Sequence, residues 1–415
     1  MFTKEIKMKQ YIHTLIMGSL TIFSLYLYFL STQPLQAEVE IKQFPTLNIE
    51  KEEQLALNYL NYLRVKTGLV PFKSHPILNQ AARNHANYLS NHLTFGHEEF
   101  PHHNDYTGQF ASNRIVKVGF ATSKVIENVS ANNKNYKESI DGLFGAIYHR
   151  QAFLDFRPDL IGIGVSQNSK NNDHTAFVYD LSTKALEEAH QQYKNPTQAV
   201  LNLALKSNQN KNKSVVLYPF RRQQDVPPAF FDELPDPLPQ HKVSGFPISI
   251  SFNPAIYQSV KLLNFKLYNQ NGQEIKDTLT YTHDTDINKR LSKFDFVLFP
   301  MKRLDWNHKY TVVFIANINN KLVKKQWSFQ TQKFNLPFYS ISKTSSSIKL
   351  KVNEPSIFYF PPTSKVDLLN NIAYPENFDI DFIDKNTIKL TLLYSVKKKT
   401  KLLIGRHILN ITDDN

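Results

Sequence analysis

Apolar positions in the first half of the chain recur first at helical and then at extended spacing. From Glu50 to Thr67 they fall at i, i+4, i+7 and i+8, and Gly68 follows as a stop signal, which predicts an amphipathic helix. A second helix is predicted to begin near Pro76, because proline suits the first helical turn. The same spacing predicts a third helix within residues 133–149.

The extended pattern follows directly. Residues 161–167 and 175–181 concentrate Ile, Val, Phe and Tyr between turn-forming residues, which predicts two strands. Helices and short strands mixed in one segment favour an α+β arrangement of layers. We therefore place a first domain at residues 45–185.

The rest of the chain is organised differently. Residues 186–214 are rich in Asn, Gln and Lys and are predicted to be a linker with a short helical turn at 199–205. Residues 215–332 are predicted to be all-β, with clear alternation between Phe246 and Phe252. Residues 335–415 show alternation again and are predicted to form a second, small β domain.

The N-terminal segment has the pattern of an export signal. Three lysines precede a largely apolar run from Tyr11 to Leu30, and small or aliphatic residues surround Ala37. We predict a signal peptide at residues 1–37 and a protein that functions in the extracellular space or the periplasm. The alternative is an uncleaved anchor, and membrane association is expected only in that case.

The amino-acid composition excludes several kinds of site and partner. The chain has 415 residues, a net charge of +13 and no cysteine, which excludes disulfides, thiolate zinc sites and cysteine nucleophiles. Residues 38–185 carry balanced charge, so the basic excess lies mainly C-terminal to them. Such a surface favours anionic glycans or lipid headgroups, although solubility alone also explains it. No nucleic-acid partner is expected, because no base-reading motif is present.

Five short motifs follow one another between residues 61 and 165. They are Asn61-Tyr62-Leu63-Arg64 with Gly68-Leu69 and Pro71-Phe72, then Leu78 to His85, Phe95-Gly96-His97, Glu127-Asn128, and Tyr148-His149-Arg150 leading into Ile161 to Val165. In this order they resemble the CAP superfamily, also called the SCP domain, which is shared by cysteine-rich secretory proteins, antigen five and plant pathogenesis-related proteins. The resemblance covers roughly a third of the chain.

This resemblance implies a three-layered α–β–α sandwich with a central cleft, where two His and one or two Glu converge and some members bind a divalent metal. The matching residues are His97, Glu127 and His149. Two imidazoles and one carboxylate make a sensible three-ligand set for zinc or another divalent ion. The second Glu of the family pattern has no convincing match, since only Asp141 is available and it is poorly placed.

Several alternatives stay open at these residues. The three matching side chains could form a hydrogen-bonded polar cluster that fixes the fold without a ligand. His102 and His103 are candidates for an accessory ligand or gate. Capping or packing explains three further histidines of the segment, namely His75, His85 and His92. Arg150 is expected either to contact an anionic ligand or to pair with Asp155 or Asp159.

Motifs of the middle segment resemble the closing strands of bacterial Ig-like domains. They are Leu298-Phe299-Pro300, Tyr310-Thr311-Val312 and Gln326 to Thr331, preceded by a Pro-rich lead-in at residues 225–239. The predicted fold class is therefore α+β: an α–β–α sandwich CAP domain followed by an all-β Ig-like sandwich and a small C-terminal β domain.

The function that we predict is binding of a lipid, a glycan or another cell-envelope component in the His-Glu-His cleft, with or without metal assistance. The β domains would serve positioning or adhesion. One alternative is a metal-dependent hydrolase or peptidase with Glu98 or Tyr148 as proton donor. The other is an adhesion protein with a non-functional cleft. No nucleophile elbow, phosphate-binding loop or dinucleotide motif favours an enzyme, and the H-E-x-x-H helix of metalloproteases is excluded by spacing.

Overall fold

The computed structural model describes residues 44–370, 372–396 and 399–413. The signal peptide predicted at residues 1–37 lies outside these ranges. Within them, no helix combines the length and the apolar character that a membrane crossing requires.

Helices and strands alternate along residues 44–214. In order they are α1 (Ile49–Thr67), β1 (Lys73–Ser74), α2 (Pro76–Asn91), α3 (Ala111–Lys117), β2 (Ile126–Ala131), α4 (Tyr136–Gly145), α5 (Ile147–Phe153), β3 (Leu160–Gln167), β4 (Thr175–Ser182), α6 (Lys184–Gln192) and α7 (Gln198–Gln209). The strands form one sheet in the order β1-β3-β4-β2. β1 pairs parallel to β3, and the other two pairings are antiparallel.

The ends of α1 and α2 follow their sequence signals. Asn48 caps α1, its side chain accepting a hydrogen bond from the amide of Lys51. Gly68 ends the helix in the left-handed conformation, with φ of 91°, a geometry that glycine adopts without strain. Pro76 opens α2 as predicted.

The sheet lies between helical layers. Gly162 and Gly164 of β3 face α2, where an added Cβ would lie 2.2 Å and 2.1 Å from the backbone of Leu78 and Ala82. The intervening apolar residues of β3, such as Ile163, share a core cluster with residues of α1 and α4 on the other face. The predicted α–β–α sandwich is therefore confirmed, and the two glycines permit its close helix-on-sheet packing.

The third predicted helix is split in two. Ala146 is extended, with ψ of 121°, and it separates α4 from α5. Ala146, the N-cap residue of α5, makes no side-chain hydrogen bond to the new helix start. Instead the amide of Ile147 donates to the carboxylate of Glu233, 86 residues away, at 2.6 Å. The break is stabilised by a long-range contact, which explains why local spacing did not predict it.

Residues 186–214, predicted as a linker, contain most of α6 and all of α7. Thr197 caps α7 through its side chain, which accepts from the amide of Val200. Near the other end of the helix, the buried Asn208 donates to the main-chain oxygen of Arg157. A threonine cap and an asparagine tether therefore hold this segment in an ordered conformation.

The next segment forms a two-sheet β-sandwich. Its strands are β5 (Val215–Tyr218), β6 (Gln223–Val226), β7 (Ala229–Phe230), β8 (Ser244–Gly245), β9 (Ile248–Phe252), β10 (Val260–Tyr268), β11 (Thr278–Tyr281), β12 (Asp295–Pro300), β13 (Lys309–Ile318) and β14 (Lys321–Thr331). One sheet has the order β10-β13-β14-β6 and the other β11-β12-β9-β5, while β7 and β8 pair separately. This confirms the predicted all-β segment.

Strand β9 shows how the sandwich meets the preceding domain. Its sequence alternates apolar and polar residues, yet all five residues are buried. Ser249 accepts from Arg150 at 3.4 Å, and Ser251 donates to Gln151 at 3.3 Å. One hydrophobic cluster continues from the α–β–α layers into the sandwich, with Phe144 packed on Tyr218 at a ring distance of 5.1 Å. The two segments therefore share a core.

The C-terminal unit is a second pair of small sheets. Its strands are β15 (Phe338–Ser340), β16 (Ser345–Leu350), β17 (Pro355–Tyr359), β18 (Ile372–Ala373), β19 (Phe378–Asp384), β20 (Thr387–Leu392), β21 (Thr400–Ile404) and β22 (His407–Asp413). The sheet orders are β15-β17-β20-β19 and β16-β22-β21-β18, around an apolar core of their own. This agrees with the small β domain predicted there.

Candidate functional site

The first predicted histidine forms a pair with the predicted glutamate. His97 lies in the loop between α2 and α3, and Glu127 lies on β2. The Nδ1 of His97 donates to Oε1 of Glu127 at 2.8 Å. The imidazole is 51% exposed, whereas the carboxylate is only 4% exposed. In this dyad the imidazole of His97 is accessible to solvent, and the carboxylate of Glu127 that holds it is buried.

Arg114 of α3 holds the buried side of this dyad. Its Nη2 donates to Oε2 of Glu127 at 2.5 Å, and its Nη1 donates to the main-chain oxygen of His97 at 3.0 Å. Burial alone would raise the pKa of Glu127, but the hydrogen bonds from His97 and Arg114 outweigh it and hold the pKa below its ordinary value. Glu127 is thus kept ionised, with both oxygens engaged.

A second buried cluster supports the same loop. His85 of α2 is fully buried, with Nδ1 at 3.0 Å from Glu99 and Nε2 at 3.1 Å from the main-chain oxygen of Gly96. Glu99 also accepts from the amides of Thr107 and Gly108. The loop that carries His97 is therefore fixed from within.

Asp180 of β4 stands opposite Glu127 in the sheet register and is fully buried. Burial and the neighbouring Glu127 carboxylate raise the pKa of Asp180 well above its ordinary value, and Arg114 offsets only part of the effect. Two acidic side chains therefore lie side by side behind His97, and the raised pKa of Asp180 favours its protonated form.

The second predicted histidine has a different partner. The Nδ1 of His149 donates to Oε2 of Glu233 at 3.0 Å. The same carboxylate accepts from the amides of Ile147 and Tyr148 at the start of α5. Glu233 lies in the Pro-rich lead-in to the sandwich, so this dyad is completed by a residue outside the α–β–α layers.

Both dyads border one cavity of about 760 Å³. His97, Glu127 and His149 all line it, which brings the three predicted residues to one place. The opposite wall comes from the sandwich and its lead-in, including Leu234, Ser251 and Arg290. Each Nδ1 is hydrogen-bonded to a carboxylate, so Nε2 is the ring nitrogen left for a ligand.

The fit of these residues to a metal is limited. The described residues contain no group of three or more His, Asp or Glu side chains placed to hold one ion. Glu127 is engaged by His97 and Arg114, which makes it an orienting partner of the imidazole. His97, Glu127 and His149 line one cavity, and metal binding by these three residues stays a prediction.

Other predicted participants have different roles. The hydroxyl of Tyr148 donates to the carboxylate of Asp286, and burial raises the pKa of this phenol. Glu98 is exposed and does not line the cavity. His102 and His103 do not line it either, and His103 contacts the hydroxyl of Tyr88 at 2.7 Å. Glu98, His102 and His103 therefore lie outside the cavity, whereas Tyr148 lines it with its hydroxyl engaged by Asp286.

The structure corrects the expectation that Arg150 contacts an anionic ligand or pairs with Asp155 or Asp159. Arg150 is fully buried, donates to the main-chain oxygens of Phe144 and Pro247, and lies over the ring of Phe246. These contacts take the place of the expected pairing with an aspartate or an anionic ligand. Its hydrogen bonds and stacking link α4, α5 and the sandwich, which is a structural role.

Residues 57–181 match the model of the cysteine-rich secretory protein family, CAP. The chain contains a CAP domain. The match ends within β4, so α6, α7 and Glu233 lie outside it. No curated protein matches this chain.

Solved structures similar to this chain include two bacterial proteins. An outer surface protein from Borrelia burgdorferi is 17% identical, with a TM-score of 0.29, covering 33% of this chain and 96% of that protein. An extracellular SCP-domain protein from Bacillus anthracis is 16% identical, with a TM-score of 0.28, covering 33% of this chain and 44% of that one. A tandem of titin Ig domains is 11% identical, with a TM-score of 0.17, covering 49% of this chain and 97% of the tandem.

Three residues around the CAP cleft were missed by sequence reasoning. Asp180 had a readable signal, because an acidic residue inside the apolar run of β4 is unusual. Arg114 had no such signal in the sequence, because an arginine on a short helix is ordinarily exposed. Glu233 lies in a Pro-rich segment that the sequence marked only as a lead-in, and chain folding alone brings it to His149.

Proposed function

We propose that the protein binds a hydroxyl-rich ligand of the cell envelope, a glycan, in the cavity between the CAP domain and the sandwich, without catalysis. The observation that carries this proposal is the shared cavity with its two His–Glu dyads, each of which fixes an imidazole through Nδ1. Fixed imidazole nitrogens are directional partners for ligand hydroxyls.

The remaining lining supports a polar ligand. Charged and amide side chains such as Arg157, Gln209 and Arg290 alternate with rings such as Phe294. A few placed polar groups over an apolar floor are typical of small-ligand sites, and about 760 Å³ lies within their usual size range. A lipid tail would leave these polar groups unpaired, so the cavity favours a glycan over a lipid.

The hydroxyl groups of the lining argue for binding rather than nucleophilic catalysis. Tyr148 donates to Asp286, Ser251 donates to Gln151, and Ser292 donates to Asp295. A serine nucleophile needs its hydroxyl proton directed at a base. None of these three hydroxyls donates to His97 or His149.

The test is binding of the full chain to an array of cell-envelope oligosaccharides, followed by calorimetry with the best binder. His149→Ala and Arg290→Ala should each weaken binding about tenfold or more, because each removes a polar contact from the cavity. Arg222→Ala, an exposed arginine away from the cavity, is the matched control and should bind as the wild type does.

Two results would contradict the proposal. One is the absence of any bound oligosaccharide, and the other is wild-type affinity in both cavity variants. Adding zinc to the calorimetry tests the predicted metal assistance at the same time. Zinc-dependent affinity that disappears in a His97→Ala, His149→Ala double variant would support the metal prediction.

A second candidate is hydrolysis, which the His149–Glu233 dyad favours. A carboxylate that orients an imidazole through Nδ1 leaves Nε2 able to accept a proton from water. A hydrolase should lose turnover of acetyl-ester or peptide substrates on Glu233→Gln while its fold is kept. A binding protein has no turnover to lose.

We also propose that the protein works outside the cytoplasm. This rests on the predicted signal at residues 1–37 and on the CAP match, whose family name describes secretory proteins. N-terminal sequencing of protein recovered from the extracellular or periplasmic fraction would test it. Recovery with residues 1–37 intact in the membrane fraction would favour the uncleaved anchor.

A further inference from the structure

The two sheets of the β-sandwich differ in charge. Strands β10, β13 and β14 contain neither Asp nor Glu but six lysines, namely Lys261, Lys266, Lys309, Lys321, Lys324 and Lys325. The strands of the other sheet, β5, β9, β11 and β12, contain no lysine or arginine. The surfaces of soluble proteins usually mix both signs of charge. The sandwich therefore concentrates positive charge on one of its two sheets.

The outward side of the lysine-rich sheet carries a groove of about 520 Å³. Alternate residues of β13 are buried in the core, and the residues between them form the floor of the groove: Thr311, Val313 and Ile315. In the sheet register Lys266 and Gln326 lie on either side of Val313, and Asn264 and Lys324 lie on either side of Ile315. We call this outward surface of β10, β13 and β14 the basic face.

The positive charge of the basic face is balanced only in part. Lys266 pairs with Glu274 at 2.8 Å. Lys324 is exposed, and no ion pair joins it to another residue within the described ranges. Beside β14, Arg221 and Asp225 contribute one charge of each sign. The basic face thus keeps an excess of positive charge, which attracts polyanions.

The neutral side chains of the groove indicate which kind of polyanion fits. Asn264, Gln270 and Gln326 supply amide donors and acceptors, which suit sugar hydroxyls. The ring of Tyr268 also lines the groove, and an aromatic ring packs well on the apolar side of a sugar ring. No base-reading motif accompanies these residues in the sequence. Amides and an aromatic ring among lysines therefore favour a polysaccharide over a nucleic acid.

We propose that the basic face binds an anionic polysaccharide, with Lys266 and Lys324 next to its carboxylate or sulfate groups. Gln326 and Asn264 contact its hydroxyls from the same positions of the register. The groove shares no lining residue with the cavity that His97 and His149 border. The proposal therefore does not depend on what that cavity binds.

Biolayer interferometry of the full chain tests this with three probes that share one sugar backbone: dextran, carboxymethyl-dextran and dextran sulfate. At least one of the two charged dextrans should bind, unmodified dextran should not, and the binding should weaken as salt is added. The charged dextran that binds more tightly identifies the preferred anionic group. Absence of binding to both charged dextrans, or equally tight binding of double-stranded DNA, would overturn the proposal.

Charge-neutralising variants locate the site. The double variant Lys266→Gln, Lys324→Gln should weaken binding of the charged dextran about fivefold or more. The matched control Lys170→Gln, Lys206→Gln removes the same charge from exposed positions elsewhere and should bind as the wild type does. Wild-type affinity in the first double variant, or an equal loss in the control, would overturn the site. His149→Ala should leave this binding intact, which separates it from the cavity test.

Discussion

The two His–Glu dyads use the same chemistry but are built in different ways. His97 and Glu127 both belong to the CAP domain, and Arg114 balances the carboxylate from behind. His149 belongs to the CAP domain, whereas Glu233 comes from the lead-in to the sandwich. Main-chain amides at the start of α5 take the place of the arginine there. The His97–Glu127 dyad is thus formed within the CAP domain alone, whereas the His149–Glu233 dyad forms only when the CAP domain and the lead-in pack together.

This difference shows how a cleft can depend on a neighbouring module. The carboxylate of Glu233 both caps α5 and orients His149, so the position of the histidine depends on the docking of the lead-in. The first dyad has no such dependence. Comparing variants of the two dyads therefore separates intrinsic CAP features from features that the sandwich supplies.

The largest effect is expected on replacing Arg114. Arg114→Leu leaves Glu127 buried and without its balancing charge, which should lower the free energy of unfolding by about 3–5 kcal/mol. Urea unfolding measures it, and Lys117→Ala, on the same helix but exposed, should change stability by less than about 0.5 kcal/mol. A stability loss as small as that of the control would show that the first dyad does not rely on the arginine.

A smaller loss is expected at the second dyad. Glu233→Ala removes the acceptor for two amides and for His149, which should cost about 1–3 kcal/mol in the same unfolding assay. Imidazole NMR signals should shift for His149 and stay in place for His97. The exposed Glu98→Ala serves as control. Equal shifts of both imidazoles would show that the two dyads are coupled.

The pH dependence of stability should distinguish the first dyad further. Because the pKa of Asp180 is raised in the folded protein, the unfolded chain loses this proton first as pH rises above about 4, and stability falls over that range. Asp180→Asn removes this effect, so its stability relative to wild type should increase from pH ~4 to pH ~7. Asp105→Asn, an exposed position, is the control, and parallel pH curves for Asp180→Asn and wild type would contradict the prediction.

The smallest effect is expected at the exposed ring itself. His97→Gln should lower stability by less than about 1 kcal/mol, because the imidazole is 51% exposed. His149→Gln should cost more, since that side chain is only 17% exposed. Thermal unfolding of the two variants measures which one is less stable. A larger stability loss for His97→Gln than for His149→Gln would contradict this prediction.

Much of the fold was predictable because its signals are local. The cap at Gly68, the start at Pro76 and the period-two strands are each set by a few neighbouring residues. The break between α4 and α5 was not predictable, since its cap is Glu233. Helix α6 was missed and α7 was predicted only as a short turn at 199–205, because an Asn- and Gln-rich composition indicates a linker unless its tertiary contacts are known.

The sequence by itself determined the CAP domain, the all-β character of the segments C-terminal to it, and the three residues His97, Glu127 and His149 that line the cleft. Only the tertiary structure decided their partners. Arg114, Asp180 and Glu233 reach the dyads through sheet register, helix packing and domain docking, none of which leaves a periodic trace in the sequence. Side-chain types and spacings are encoded locally, whereas the charge balance of a buried site is a sum over distant parts of the chain.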